Sequence, residues 1–308
     1  KGFFVSIGLQ NGGRLGIPGE EAAGVMSGVD WLKSVNAGEA KPLFGDVVVI
    51  GGGNIGADVA RTAIRQGASS VKLYCLESWD EMPMGEEDQE LCRADGVEIF
   101  DGWGQTEIAK VDDKCVGIRF RKCVSVKNAE GRFDPQFDDS ETTETACTHV
   151  QYCIGQKPDY KELLAGTKVE LTPRGLIVCD PVTLQTGEPD IFAGGDAVSG
   201  QKFVVDALAM GREGAVSLHR FVNEGQSLTI HRNTRLFTPL AKTDIVLPEG
   251  AREKPARAVK GIDAAKVRTM RDERLIFTEE QIKSEASRCL SCGRSVVDTN
   301  KCLGCGMC

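Results

Sequence analysis

The stretch Asp46-Val-Val-Val-Ile-Gly-Gly-Gly-Asn-Ile-Gly-Ala-Asp-Val-Ala-Arg61 constrains this chain more than any other. Val47–Ile50 is apolar without alternation, which suits a strand covered on both faces in a parallel sheet. Gly51, Gly53 and Gly56 follow at Gly-x-Gly-x-x-Gly spacing, and Ala57, Ala60 and Ala63 continue as a helical pattern. Strand, glycine turn and helix in that order make a weak motif informative. Gly51 permits the tight turn, Gly53 lets the backbone approach a pyrophosphate, and Gly56 lets helix and strand pack closely. The phosphates would rest on the free N–H groups at the helix start, around Asn54 and Ile55. The simpler alternative is a glycine-rich turn that binds nothing.

The next strand runs from Ser70 to Leu76, and Glu77 stands at its end. An acid at that place accepts a hydrogen bond from the adenosine ribose 2′-OH of NAD, whereas an arginine accommodates the 2′-phosphate of NADP. Leu73 to Glu90 contains no lysine or arginine, so the sequence leans to NAD. The competing reading is a loop acid facing water.

Composition sets outer limits. The 308 residues suffice for two domains, and 41% hydrophobic with 27% charged residues is an ordinary soluble balance. A net charge of −8 argues against a nucleic-acid partner, which usually meets a basic surface. No apolar run approaches the roughly 20 residues that span a bilayer, and no signal peptide is visible. Of twelve cysteines, seven are scattered through residues 75–179 and five crowd into the last twenty residues. The scattered set reads as small buried hydrophobes and the terminal set as metal ligands, which points to a reducing, cytoplasmic setting. The chain begins without methionine in a strand-like run and ends inside a cysteine motif, so a segment of a longer protein is expected.

Elsewhere the pattern is α/β. Residues 25–36 can form a short helix, residues 86–95 another, and Val97–Asp101 a strand. Val116, Ile118 and Phe120 alternate with polar or small residues, as in a half-buried antiparallel strand. Asn128–Gly131 is a turn signal, residues 132–144 are polar and acidic, and Thr145–Ile154 returns as a strand. Ile177–Cys179 follows as a short strand, Asp190–Asp196 as another that ends in a Gly-Gly-Asp turn, and residues 204–222 have helical spacing. Residues 230–277 show no sustained period, and Thr278-Glu-Glu-Gln281 is a capping-box pattern opening a helix.

Four motifs then come in a familiar order: Gly51–Arg61, Asp80-Glu-Met-Pro83, Tyr152-Cys-Ile-Gly-Gln-Lys-Pro-Asp159 and Asp190-Ile-Phe-Ala-Gly-Gly-Asp196. By these the chain resembles the small (beta) subunit of bacterial glutamate synthase and its relatives, including the matching parts of dihydropyrimidine dehydrogenase and the bifurcating ferredoxin:NADP transhydrogenase. The likeness covers about residues 1–225. It implies two Rossmann-like dinucleotide-binding domains, an NAD(P) domain (41–155) inserted in an incomplete FAD domain (1–40 and 156–225). A linker (226–277) and the start of a ferredoxin-like iron–sulfur segment (278–308) would follow. It implies that Gly155, Gly195 and Asp196 contact the cofactors, Asp196 at the ribityl chain and pyrophosphate of FAD. The helix starting at Val204 and Val205 would aim its positive end at the flavin N1/O2 edge. Taken alone, Gly194-Gly195-Asp196 is a plain turn with an Asx hydrogen bond. The family's FAD fingerprint and its N-terminal cluster cysteines are absent from this sequence; either they lie upstream or the chain holds FAD poorly. NADP-using members carry a pair of arginines where this chain has Leu76 and Glu77.

Cys302-x-x-Cys305-x-x-Cys308 is the opening of a bacterial ferredoxin run, whose ligands would hold a 4Fe-4S cluster. Cys289-x-x-Cys292 with Cys302-x-x-Cys305 makes a pair of knuckles that could instead bind zinc. The expectation is an electron-transfer flavoprotein subunit that oxidises NAD(P)H and passes electrons through FAD to iron–sulfur clusters and a partner subunit or ferredoxin. No side-chain acid or base is required, so no catalytic residue is nominated. Two alternatives stand beside it: a zinc-stapled scaffold without turnover, and a disulfide oxidoreductase. The latter needs a redox Cys-x-x-Cys, and none occurs before Cys289.

Overall fold

The structure is a computed structural model, and it describes residues 1–160, 162–232 and 257–288. The cysteines 289, 292, 302, 305 and 308 lie outside the described residues. The chain divides into two compact units, Lys1–Leu236 and Phe237–Cys308.

In the first unit the strands are β1 (Phe3–Val5), β2 (Asn11–Gly12), β3 (Val25–Ser27), β4 (Asp46–Ile50), β5 (Ser70–Tyr74), β6 (Glu98–Phe100), β7 (Trp103–Val111), β8 (Lys114–Lys127), β9 (Phe133–Ala146), β10 (His149–Tyr152), β11 (Gln156–Lys157) and β12 (Ile191–Ala193). The helices are α1 (Gly28–Asn36), α2 (Asn54–Arg65), α3 (Glu86–Asp95), α4 (Asp196–Ser199) and α5 (Val204–Val222), with a 3₁₀ turn at Trp79–Glu81.

A five-stranded parallel sheet in the order β3-β10-β4-β5-β6 forms the centre. Val47, Val48, Val49 and Ile50 are all buried, because β4 is paired on both edges and covered on both faces. Burying such a side chain contributes about 1.5–3 kcal/mol, so β4 alone carries a large share of the driving force. One face packs Val47 and Val49 against Trp31 of α1 and Val59, Ala60 and Ala63 of α2. The other packs Val48 and Ile50 against Ile108, Ile118 and Phe120 of an antiparallel sheet, β7-β8-β9. Tyr74 joins the two sheets: its ring stacks on Phe120 at 4.0 Å and Phe100 at 4.7 Å, and its hydroxyl lies 2.7 Å from Thr145 Oγ1. Arg61 Nε and Arg65 Nη2 donate to Asp95 Oδ2 at 2.8 and 2.9 Å, tying α2 to α3.

Sequence and structure part at several places in this unit. Ile177–Cys179, expected as a strand, makes only isolated bridges, Ile177 with Leu171 and Cys179 with Thr186. Thr145–Ile154, expected as one strand, is divided between the end of β9 and β10. Residues 25–27, expected in a helix, form the edge strand β3, and the helix starts only at Gly28, where Ser27 Oγ accepts from the Asp30 N–H. The parallel sheet therefore begins upstream of residue 41. The acidic stretch 132–144 is mostly strand β9, paired along β8 through three register shifts.

β1 and β12 pair in parallel, so segments from the two ends of this unit close a second, smaller core with Val5, Tyr160, Ile177 and Ala193. Among the described residues of the second unit, helix α6 (Glu279–Ser287) carries the expected capping box. Thr278 Oγ1 accepts from the Gln281 N–H at 3.2 Å, and the Thr278 N–H donates to Gln281 Oε1 at 2.8 Å.

Candidate functional site

The three glycines of the motif differ physically. Gly51 has φ +128°, and a Cβ there would meet the Cys153 carbonyl oxygen at 2.7 Å. A Cβ on Gly56 would collide with the Gly51 carbonyl, so helix and strand touch through bare backbone. Gly53 is the N-cap of α2 in extended conformation, and a Cβ there would meet nothing within 4 Å. Gly51 and Gly56 are thus glycine because the fold leaves no room. Gly53 needs another reason, and open space in front of a helix N-terminus fits a phosphate group.

The loop after β5 packs over this turn. Gly52, which the motif leaves unassigned, would put a Cβ 2.8 Å from that of Cys75, and its carbonyl accepts from the Met84 N–H at 2.9 Å. Asn54 Oδ1 lies 3.3 Å from the Gly85 N–H. Glu77 is half-buried; its carbonyl accepts from the Gly102 N–H at 2.9 Å. Gly51, Gly52, Gly53, Leu76, Glu77 and Gly155 line one cavity of about 580 Å³.

A second cavity, about 460 Å³, is lined by Gly53, Asn54, Ile55, Tyr152, Gly155 and Asp196. A third, about 590 Å³, is lined by Phe4, Gly8, Gly194, Gly195, Asp196 and Val204. Asp196 borders both. Three turns far apart in sequence therefore converge: the turn after β4, the turn after β10 and the turn after β12. Gly155 takes φ +54° and Gly195 φ +70°, so each bends the chain where a side chain would be strained. The strand β12 ends at Ala193, and Asp196, expected in the Gly-Gly-Asp turn, opens the short helix α4. Val205 is exposed on α5 and lines none of these three cavities. Helix α5 begins at Val204 as expected, with the Phe203 N–H donating to Asp206 Oδ2 at 3.2 Å.

The side chains suit the two implied cofactors. The open cradle at Gly53 fits a pyridine dinucleotide pyrophosphate. The third cavity joins an apolar wall on α5 to the carboxylate of Asp196, which fits a flavin with its ribityl chain. Among the described residues no group of three or more His, Cys, Asp or Glu side chains could hold a metal ion.

Two thiols line the Glu77 cavity, Cys75 and Cys153. Burial pushes each up to about 12, helped by the charges of Glu77 and Asp101 at Cys75 and of Asp58 at Cys153. Thiols held protonated are poor nucleophiles, which disfavours dithiol chemistry here.

Sequence reading missed several lining residues: Phe4 and Lys202 in the third cavity, Gln156 and Gln201 in the second, Phe133 and Pro135 in the first. Lys122 stands nearby but lines none of the three cavities. That lysine lies beside Gly102, which donates to the Glu77 carbonyl, and its ammonium is 5.0 Å from the Trp103 ring centre. Apart from Gln156, which stands in the Tyr152–Asp159 motif, none of these lining residues carries a local signal, since each reaches the site from a distant strand or loop.

A parallel βαβ sheet with a glycine-lined helix start, beside a further cavity bounded by Gly194, Gly195 and Asp196, gives the α/β fold of FAD/NAD(P)-binding oxidoreductases. The solved structure of Mycobacterium tuberculosis FprA in complex with NADPH shares it, with a TM-score of 0.60 at 17% identity, covering 71% of this chain and 63% of that one. Thioredoxin reductase from T. acidophilum is also similar, with a TM-score of 0.52 at 20% identity, covering 71% and 65%.

The chain belongs to the pyridine nucleotide-disulphide oxidoreductase family, whose model matches residues 4–211. It is 33% identical over 304 residues to the beta subunit of NADP(+)-dependent formate dehydrogenase from Moorella thermoacetica, covering 94% of this chain and 42% of that protein. It is 30% identical over 233 residues to the small chain of NADPH glutamate synthase from Azospirillum brasilense, covering 71% and 48%. The chain thus spans about half the length of the curated relatives it matches.

Proposed function

We propose that this chain is the pyridine-nucleotide-handling part of an electron-transfer flavoenzyme. It would oxidise NAD(P)H, pass the electrons through FAD to iron–sulfur clusters, and deliver them to a partner subunit or ferredoxin. The observation that carries this reading is the cavity in which Gly53, Asn54 and Ile55 face Gly155 and Asp196. A dinucleotide with its pyrophosphate on α2 and its nicotinamide directed toward Asp196 would meet a flavin held by Gly195, Asp196 and the start of α5.

In this scheme the chain's residues bind and orient. Backbone N–H groups at Asn54 and Ile55 hold phosphate oxygens. The positive end of α5 favours negative charge on the group in front of it. FAD, when bound, supplies the step from two-electron to one-electron transfer. The terminal cysteines, from Cys289 to Cys308, would hold a 4Fe-4S cluster by their ferredoxin-like spacing. The named subunit relatives support a partner-dependent role in a larger assembly. No helix among the described residues is long and apolar enough to cross a membrane, and a reducing cytoplasmic setting suits the free thiols.

NADH is the preferred coenzyme in this reading, because Glu77 lines the cavity beside Gly51–Gly53. Its carboxylate would repel the 2′-phosphate of NADPH. Glu77→Arg is expected to shift the NADH/NADPH ratio of kcat/KM toward NADPH; an unmoved ratio removes Glu77 from the ribose. The whole scheme is tested on the full-length protein by absorption spectroscopy. Flavin and broad iron–sulfur bands that bleach with NADH support it. A colourless protein that contains zinc and cannot bleach added flavin overturns it.

A further inference from the structure

The antiparallel sheet does more than cover the core. Strands β8 and β9 extend as a long hairpin whose tip, Asn128–Arg132, is set by Asn128 Oδ1, which accepts from the Glu130 and Arg132 N–H groups at 3.1 and 3.0 Å. Phe133, Pro135 and Phe137 follow on β9, where two of the register shifts with β8 interrupt the regular pairing.

Phe137 packs against the loop after β5. A Cβ on Gly104 would collide with the Phe137 ring and lie 3.0 Å from Leu76 Cδ2, so the absent side chain lets this ring settle beside the loop after β5. The Arg121 guanidinium covers the ring at 3.9 Å and is held by Asp139 at 2.8 Å. Nearer the tip, Lys127 Nζ lies 4.0 Å from Glu81 in the 3₁₀ turn of the same loop. The hairpin therefore meets the segment that carries Glu77 at two points, the Phe137 ring beside Leu76 and Lys127 beside Glu81.

Pro135 and Phe133 line the cavity that holds Gly51, Gly52, Gly53 and Glu77. Phe133 is 69% exposed although it is a large apolar ring. An exposed aromatic lining the cavity that also holds Glu77 is a stacking surface for a flat ring.

We propose that Phe133 stacks on the adenine ring of the pyridine dinucleotide, with Pro135 beside it, so that the β8–β9 hairpin clamps the adenosine half of the coenzyme. This rests on the dinucleotide reading of Gly51–Gly56 and Glu77 and deepens it. The 2′-position plays no part, so the clamp serves NADH and NADPH alike.

The test is calorimetric titration of the full-length protein with ADP-ribose and with NADH, alongside thermal melting. Phe133→Ala is expected to weaken both ligands by the same factor, about tenfold, the scale of one base–aromatic stack. The ligand-free melting point should stay unchanged because the ring is exposed. Phe133→Tyr should restore both affinities, which a general loosening of the hairpin would not predict. If wild type binds both ligands and Phe133→Ala binds them equally well, the clamp is overturned and the dinucleotide site stands. Loss confined to NADH also overturns it, since ADP-ribose contains the whole adenosine half. If wild type binds neither ligand, the dinucleotide site falls and the clamp falls with it.

Discussion

Gly53→Ala separates folding from binding at the turn after β4. The residue has φ −93° and ψ 175°, which alanine adopts freely, and its new Cβ would touch nothing within 4 Å. Two small effects then act on stability. Restricting the unfolded chain contributes about 0.4–1 kcal/mol in favour of folding. Alanine is a poorer N-cap than glycine by up to about 1 kcal/mol. They nearly cancel, so the ligand-free protein should melt within about 4 °C of wild type. Binding should respond quite differently. The methyl group occupies the space in front of Asn54 and Ile55 and holds the pyrophosphate away from their N–H groups. Losing a hydrogen bond to a charged partner costs about 1.5–3 kcal/mol, about 10- to 150-fold in Kd. Thermal melting without ligand and calorimetric titration with NADH read the two effects separately. Wild-type affinity in Gly53→Ala would refute the placement of the phosphates. A large drop in melting point without ligand would refute the claim that the space is open.

Gly56→Ala should behave in the opposite way. Its Cβ collides with the Gly51 backbone, which cannot swing aside as a flexible side chain could, so the variant is expected to lose about 1–3 kcal/mol or more of stability and to melt several degrees lower. A wild-type melting curve would show that α2 can shift without cost. A pH effect is expected at His149, whose imidazole burial holds below the ordinary value of 6.5. The unfolded chain takes up that proton more readily than the folded one, so this stability is full above pH 6.5 and is lost as the pH falls toward the lower folded-state value. His149→Gln should flatten that part of the plot of melting point against pH; a curve parallel to wild type would refute the assignment.

Elements whose identity rests on local chemistry were legible in the sequence. The unbroken apolar run of β4, the helical spacing of α5 and the capping box of α6 each report how one segment partitions between water, core and neighbouring backbone. The glycine spacing was legible for the same reason, because φ +128° at Gly51 is a property of one residue and its immediate chain. β9 was not read as a strand because most of its residues face water, and its pairing with β8 leaves no alternation to detect. The residues 25–27 were placed in a helix because three residues are too few to show a period.

What only the tertiary structure decided is which loops meet. That Gly53 faces Asp196, that Lys122 comes up beside Gly102, and that Phe133 reaches the Glu77 cavity are consequences of strand order and of where the β8–β9 hairpin meets the loop after β5. Hydrophobic periodicity carries no information about such encounters, because a side chain at a cavity mouth is chosen for what it will touch and not for the segment it sits in. The sequence by itself determined that a strand, a glycine turn and a helix would present bare backbone amides. The fold determined what stands opposite them, since only burial of both faces of the central sheet holds distant turns in one place.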